Sequence, residues 1–349
     1  MPGSESTLPT GFADENALDD FLARPQPDLV ASLGAGKGDL VLLGVAGKMG
    51  ISMAMLAVRA LKQAGSKAKV IGVSRFSEKG SRERLEQAGV TTVPCDLLNP
   101  TAVDKLPDSK RVVFLAGKKF GTSGDSSATW AMNAVAPAYV ARRYADANIV
   151  AMSTGCVYPL AEPASGGCDE NVTPVPIGEY AMSALARERV FEYASRSAGT
   201  KVCIVRLNYS LDLRYGVIHD VVRQILDDAP VDISVPCFNG IWQGDANRMI
   251  LRCLELCASP SAFVNLTGPE TLTVERVAIN AGQYLGKKAK FSGTLAPRMY
   301  LNDGGRLLER FGYPTVTPAT VVRWTADWLA AGRKSLGKPT HFQTTDGKY

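Results

Sequence analysis

No run of apolar residues in this chain approaches the ~20 that a membrane-spanning helix requires, so a membrane partner is not expected. Cysteine is sparse. The seven residues Cys95, Cys156, Cys168, Cys203, Cys237, Cys253 and Cys257 are odd in number and follow no repeating spacing. That argues against a disulfide framework and for a reduced, cytoplasmic protein. Cys253 and Cys257 would share a helix face, but no second pair and no nearby His completes a zinc set, so no metal is expected. Charge of one sign does not dominate. The 39 Lys and Arg against 34 Asp and Glu leave a net +5, scattered along the chain, and nothing points to a nucleic acid as partner. Met1 to Asp20 is acidic and polar without a signal-peptide pattern, and neither internal repeats nor low-complexity stretches occur.

What remains is an ordinary globular composition, 46% hydrophobic and 21% charged, in a chain long enough to bury a substantial core. Residues 1–38 read as a helical lead-in. Asp14 to Leu22 has helical apolar spacing, Pro25-Gln26-Pro27 breaks it, and a short helix runs from Asp28 to Leu33. Strands are then expected over 39–44, 69–74, 91–95, 111–116, 149–153 and 201–207. Helices are expected over 50–64, 81–88, 127–147 and 180–198. Strands alternating with helices predict an α/β, Rossmann-type doubly wound parallel sheet over residues 39–207. Residues 208–349 are less regular and richer in Pro. They suit a smaller substrate-binding part interleaved with the first.

Gly44-Val45-Ala46-Gly47-Lys48-Met49-Gly50 follows the first strand and opens a helix. Gly44 permits the tight turn, Gly47 a close approach of backbone to pyrophosphate, and Gly50 tight helix–strand packing. The helix N-terminus offers N–H groups to phosphate. An ordinary glycine-rich turn is the plain alternative. At the end of the second strand, where an acid would hold a ribose 2′-hydroxyl, stand Ser74 and Arg75. A hydroxyl and a guanidinium suit a 2′-phosphate, with Lys48 adding charge nearby, so NADP is expected ahead of NAD. Arg75 as a solvated surface residue is the alternative. Asp96, beside Leu97, is placed for the adenine amino group, or is a plain turn residue.

Further along come Leu115-Ala116-Gly117, then Asn133 in Asn133-Ala134-Val135-Ala136-Pro137, then Ser153-Thr154-Gly155-Cys156-Val157-Tyr158-Pro159. Tyr180 follows 26 residues after Thr154. Arg206-Leu207-Asn208-Tyr209, Gly244-Asp245-Ala246-Asn247-Arg248 and Asn265-Leu266-Thr267-Gly268 complete a series in fixed order. With these motifs, roughly Asp39 to Ala331 resembles the extended short-chain dehydrogenase/reductases of the NAD-dependent epimerase/dehydratase type. Lys48-Met49 is also similar to the turn of dihydrodipicolinate reductase, which lacks the Thr/Tyr pair.

The resemblance implies an enzyme of carbohydrate metabolism, an epimerase, dehydratase or oxidoreductase acting on a sugar, sugar acid or nucleotide sugar. Tyr180 would exchange a proton with a substrate hydroxyl, Thr154 would bond the same oxygen, and Asn133 would steady a water in the relay. Gly44, Gly47, Lys48, Met49, Gly50, Ser74, Arg75, Asp96, Leu97, Leu115, Ala116, Gly117 and Tyr180 would hold the cofactor. Trp130, Asn208, Arg214 and Trp242 would hold substrate, with Tyr215, His219 and Gln243 at neighbouring family positions. Lys118-Lys119-Phe120-Gly121 would line the cofactor side. Arg206 reads as a structural ion-pair residue, and His219 equally as a satisfied helix histidine. A homodimer fits the family habit. The segment Gly337 to Phe342 carries no assignable chemistry.

One position departs from the pattern. Where the family places Lys, one helical turn after the Tyr, this chain has Ala184. A phenol has a pKa near 10, which a nearby cation lowers by roughly 1–3 units. Ala184, expected to face the ribose, cannot supply that charge, and Arg187 stands two turns along. Three readings stay open: a natural Ala with a modified relay, an engineered Ala, or a catalytically impaired dinucleotide-binding sensor or scaffold.

Overall fold

Leu40-Val41-Leu42-Leu43 is apolar at every position and forms a strand, β1 (Leu40–Leu43), with all four residues buried. Burial on both faces is what the centre of a parallel sheet demands, because helices cover both sides. In the computed structural model, which describes residues 8–119, 124–337 and 340–347, six more strands join it. They are β2 (Val70–Ser74), β3 (Thr91–Pro94), β4 (Arg111–Phe114), β5 (Asn148–Thr154), β6 (Lys201–Leu207) and β7 (Ala262–Leu266). The sheet is parallel throughout, in the order β7-β6-β5-β4-β1-β2-β3. This is the expected Rossmann-type architecture. Strand order reverses between β1 and β4, where Leu43 pairs with Phe114, and a crevice opens beyond their C-terminal ends.

Gly44 ends β1 at φ 87°, and a Cβ there would lie 2.7 Å from the Ala116 nitrogen. Only glycine turns the chain this sharply against the neighbouring strand. The helix Gly50–Gln63 follows, burying Met53, Leu56, Ala57 and Ala60 against the sheet.

The stretch expected as one helix over 127–147 is three pieces: helix Ser126–Trp130, a π-helical turn Ala131–Val135 and helix Ala136–Arg143. Pro137 has no N–H to give the carbonyl of residue 133, and the wider turn absorbs the break. It also leaves Asn133 fully buried. Helix Gly178–Ala198 starts two residues before the expected Tyr180 and stops at Gly199, φ 73°.

The lead-in forms helices Glu15–Leu22, capped by Asp14 accepting from the Ala17 nitrogen at 2.8 Å, and Pro27–Ala35. The second packs Leu29 and Leu33 on the sheet's core. The first packs Leu18 and Leu22 with Trp242 and Trp324, in a separate core formed mainly by residues after 207. Its Phe21 ring meets Trp324 edge-on at 5.6 Å. Since β7 returns from this later region to the sheet, the two parts are interleaved by a strand.

Candidate functional site

Two cavities open at the C-terminal ends of the strands, and the glycine turn stands between them. The larger, of about 600 Å³, is lined by Gly44, Ala46 and Gly47, by Ser74, Arg75 and Glu78 beyond β2, by Cys95 to Leu98 beyond β3, and by Leu115 to Lys118 beyond β4. Ser74, Arg75, Asp96, Leu97, Leu115, Ala116 and Gly117 thus share one wall system with Gly44 and Gly47. Gly50 lies inside the helix start, where the Val45 backbone leaves no room for a Cβ. Asp96 also accepts from the Leu98 nitrogen at 3.0 Å, so it shapes its turn as well.

The smaller cavity, of about 170 Å³, takes Lys48 and Met49 from the other side of the glycine turn. It adds Lys119, Thr154, Cys156, Tyr180 and Asn208, together with Tyr209, Ser210, Tyr215, Gly216 and Thr340. Lys48 and Met49 were expected on the cofactor side. The turn rotates them away, because Gly44 and Gly47 carry the backbone across the larger cavity while the helix start aims the next two side chains at the loop after β6. Lys118 and Lys119 divide the same way, while Phe120 and Gly121 lie outside the described residues.

Thr154 ends β5 and Tyr180 begins its helix, and the two hydroxyls are hydrogen-bonded. Burial pushes the Tyr180 phenol up to about 12, the neighbouring Cys156 adds to the rise, and the Thr154 bond and the Arg187 cation oppose it. At neutral pH Tyr180 is therefore a protonated donor.

Asn133 does not line either cavity. Its Oδ1 accepts from the Lys118 nitrogen (2.9 Å) and Arg187 Nη2 (2.6 Å), and its Nδ2 donates to the Lys118 carbonyl (3.0 Å) and Ser183 Oγ (2.9 Å). The amide is saturated by protein, so the expected water-steadying role gives way to a positioning one. Arg187 stands two turns from Tyr180 along the helix, yet it belongs to the same network. Its guanidinium reaches the Met152 carbonyl at 2.8 Å and packs where a Cβ of Gly117 would come within 2.7 Å. Its charge opposes the rise of the Tyr180 phenol. Ala184, expected to face the ribose, lines neither cavity. It is fully buried in an apolar cluster with Val157, Tyr158 and Cys168.

Three expected substrate contacts lie elsewhere. Arg214 is buried in an ion-pair network with Asp212 (2.9 Å) and Asp19 (3.0 Å). Trp242 is packed edge-on against Trp324 at 5.6 Å. Trp130 is half-exposed and donates its indole N–H to Glu179, on the helix turn that carries Tyr180. Arg214 and Trp242 are drawn into the second core and its charges, which local sequence does not reveal, whereas Trp130 stays at the surface. Asn208 does line the smaller cavity, held by Asn239 Oδ1 at 2.6 Å. Beside it Tyr209 adopts φ 44°, a left-handed backbone that a bulky residue holds only where packing enforces it. Arg206 pairs with Glu188 at 2.7 Å in the interior, as expected, and His219 bonds Ser335 at 2.8 Å. Among the described residues no cluster of His, Cys, Asp or Glu could hold a metal ion.

Tyr209, Ser210, Gly216 and Thr340 were not foreseen. Thr340 arrives from the C-terminal segment, fixed by Asp220 Oδ2, which accepts from its nitrogen at 2.8 Å and its hydroxyl at 2.6 Å.

Residues 40–235 match the family described as the NAD dependent epimerase/dehydratase family. Among solved structures, UDP-glucuronic acid 4-epimerase from Bacillus cereus in complex with NAD is similar at 20% identity and TM-score 0.71, over 85% of this chain and 100% of that one. The UDP-glucose 4-epimerase complex with NAD from Thermus thermophilus is similar at 20% identity and TM-score 0.67, over 83% and 98%. Pal from Bacillus thuringiensis is similar at 17% identity and TM-score 0.69, over 84% and 100%. No curated protein sequence matches the chain.

Proposed function

The chain belongs to the NAD-dependent epimerase/dehydratase family, and from that premise we propose that it is an enzyme that oxidises and re-reduces, or simply oxidises or reduces, a sugar-type substrate at a carbinol carbon. The observation that carries the reading is the hydrogen-bonded Thr154–Tyr180 pair in a partly open cavity, one glycine turn away from a cavity of dinucleotide size.

The residues of the larger cavity fit a dinucleotide. Gly44 and Gly117 present bare backbone on its wall, since a Cβ at Gly44 would meet Ala116 and one at Gly117 would meet Arg187, and the helix N-terminus at Gly50 favours phosphate. Bound there, a nicotinamide supplies hydride exchange with the substrate carbon. The chain's own residues do the rest. Tyr180, held protonated by burial, gives a proton to a substrate oxygen or recovers it. Thr154 orients that oxygen and the phenol together. Arg187, fixed by Asn133 and the Met152 carbonyl, lowers the cost of a phenolate when one forms. Asn208 takes a sugar hydroxyl. Ser74 and Arg75, without an acid at the end of β2, support NADP, whereas the two solved epimerases named above are complexes with NAD. Glu78 lines the same wall, and its carboxylate weighs against a 2′-phosphate.

The test is Tyr180→Phe, assayed over free and UDP-linked sugars with either cofactor. It should keep dinucleotide affinity and lose roughly 10²–10⁴-fold in turnover. Unchanged turnover removes Tyr180 from the mechanism. A second reading, a dinucleotide-binding sensor or scaffold, draws on the buried Ala184. It predicts dinucleotide affinity with no turnover in the parent protein.

A further inference from the structure

Lys48 and Lys119 come from two different strand ends, the glycine turn after β1 and the segment after β4, and both line the cavity of Thr154 and Tyr180. Lys48 Nζ lies 3.3 Å from the centroid of the Tyr215 ring, so its stem crosses the cavity. Lys119 Nζ lies 5.6 Å from the centroid of the Tyr180 ring, beside the hydroxyl pair. The charged groups facing Lys48 are Lys119, Arg214 from the loop after β6, Asp212 from the same loop and Asp220 from helix Val217–Leu226. Both carboxylates are engaged elsewhere. Asp212 accepts from Arg214 at 2.9 and 3.0 Å, and Asp220 holds Thr340 and His219. Among the described residues Lys48 has no carboxylate within ion-pair distance, only the Tyr215 face.

In this partly closed cavity Lys119 disfavours the Lys48 ammonium, and an anion beside Lys48 relieves it. We propose that Lys48 and Lys119 form an anion seat beside the Thr154–Tyr180 pair and that the substrate is a sugar acid whose carboxylate occupies it. This rests on the reading above that the smaller cavity takes the sugar. A volume of about 170 Å³ holds one sugar ring, well below the roughly 300–1,000 Å³ of sites for larger ligands. The shared chemistry is a uronate ring, either free or at the end of a nucleotide sugar that continues through the mouth. Lys48 stays solvent-exposed through that mouth while protein crowds its other sides. The crowding, with help from Lys119 and Arg214, lowers its pKa from 10.5 to about 7, against Asp212 and Asp220. A bound carboxylate raises that pKa again, so binding above pH 7 takes up a proton.

The experiment is calorimetric titration of the dinucleotide-loaded protein with glucuronate, glucose, UDP-glucuronate and UDP-glucose, for the parent, Lys48→Met and Lys119→Met. In the parent, the acid of a pair should bind at least about tenfold more tightly than its neutral partner. Both substitutions should abolish that margin. Buffers of different ionisation heat at pH 8 should report proton uptake with the acid in the parent and none in Lys48→Met. A margin with free glucuronate assigns a free sugar acid, and a margin only in the UDP pair assigns a nucleotide-linked one. Equal affinities within both pairs, a margin that survives either substitution, or no binding of any of the four by protein that holds dinucleotide overturns the anion seat. Dinucleotide binding by the variants reports their folding. Its absence in the parent would instead sink the reading of the larger cavity.

Discussion

Tyr180 has a cation for company, but not from the position its spacing suggests. Ala184 is sealed under Val157 and Tyr158, while Arg187, one turn further, bends back to Asn133 and the β5 backbone. Helix periodicity puts residues 180, 184 and 187 on one broad face, and only packing decides which of them meets the site. That is why Thr154, Tyr180 and Asn208 could be picked out from the resemblance whereas Arg187, the cation beside Tyr180, could not. Ala184→Lys should therefore lower stability by more than about 2 kcal/mol, through overpacking and burial of an amine, and should not raise turnover. Chemical denaturation together with an activity assay checks it; a stable variant with higher turnover would return the ribose-facing geometry. At the cofactor, Gly47 already stands where a Cβ would lie 3.3 Å from the Gly44 carbonyl. Gly47→Val should weaken dinucleotide binding at least about tenfold by filling the approach to the pyrophosphate. Arg75→Ala should weaken NADP by about tenfold or more and leave NAD nearly unchanged. Equal losses for the two cofactors in a titration would remove Arg75 from 2′-phosphate recognition.

Among the elements, helix Gly178–Ala198 is the one that sets the site, and buried polar bonds clamp it. Glu188 accepts from Ser153 Oγ at 2.5 Å on β5 and from Arg206 Nη2 at 2.7 Å on β6, and Arg206 Nη1 donates to the Tyr158 hydroxyl at 2.7 Å. These tie the helix to the two strands that deliver Thr154 and Asn208. Arg206→Met strands Glu188 without its cation in the interior, which costs about 3–5 kcal/mol, readable in a denaturation midpoint. A loss under about 1 kcal/mol would mean that the pair does not hold the helix. The strands and this helix were readable because their apolar runs and the glycine stop at Gly199 are local signals. The split of the 126–143 region was missed although Pro137 lies well inside the expected 127–147 helix, where it removes an interior hydrogen bond. Its effect here follows from a helix already begun upstream.

Across the whole molecule, the parallel sheet and its crevice followed from the alternation of strands and helices, while the assembly of the second core did not. Phe12, Leu18, Trp242, Trp324 and Phe342 are far apart in sequence and meet in one cluster. The segment that brings Phe342 also brings Thr340 to the smaller cavity, so one wall of that cavity is tied to that core. Phe342→Ala should cost about 3–5 kcal/mol and weaken sugar binding while dinucleotide affinity holds. Sugar binding unchanged in a folded variant would uncouple the two. The central claim is that the two cavities work together, a dinucleotide in one and a reacting sugar in the other. Rapid mixing of the dinucleotide-loaded parent with glucuronate, UDP-glucuronate and their neutral counterparts, followed by nicotinamide absorbance, tests it most directly. The account predicts a change in the oxidation state of the bound nicotinamide with an acidic sugar, slowed by about 10² or more in Tyr180→Phe. A nicotinamide that binds and never changes oxidation state with any of the four would contradict it and leave the sensor in its place.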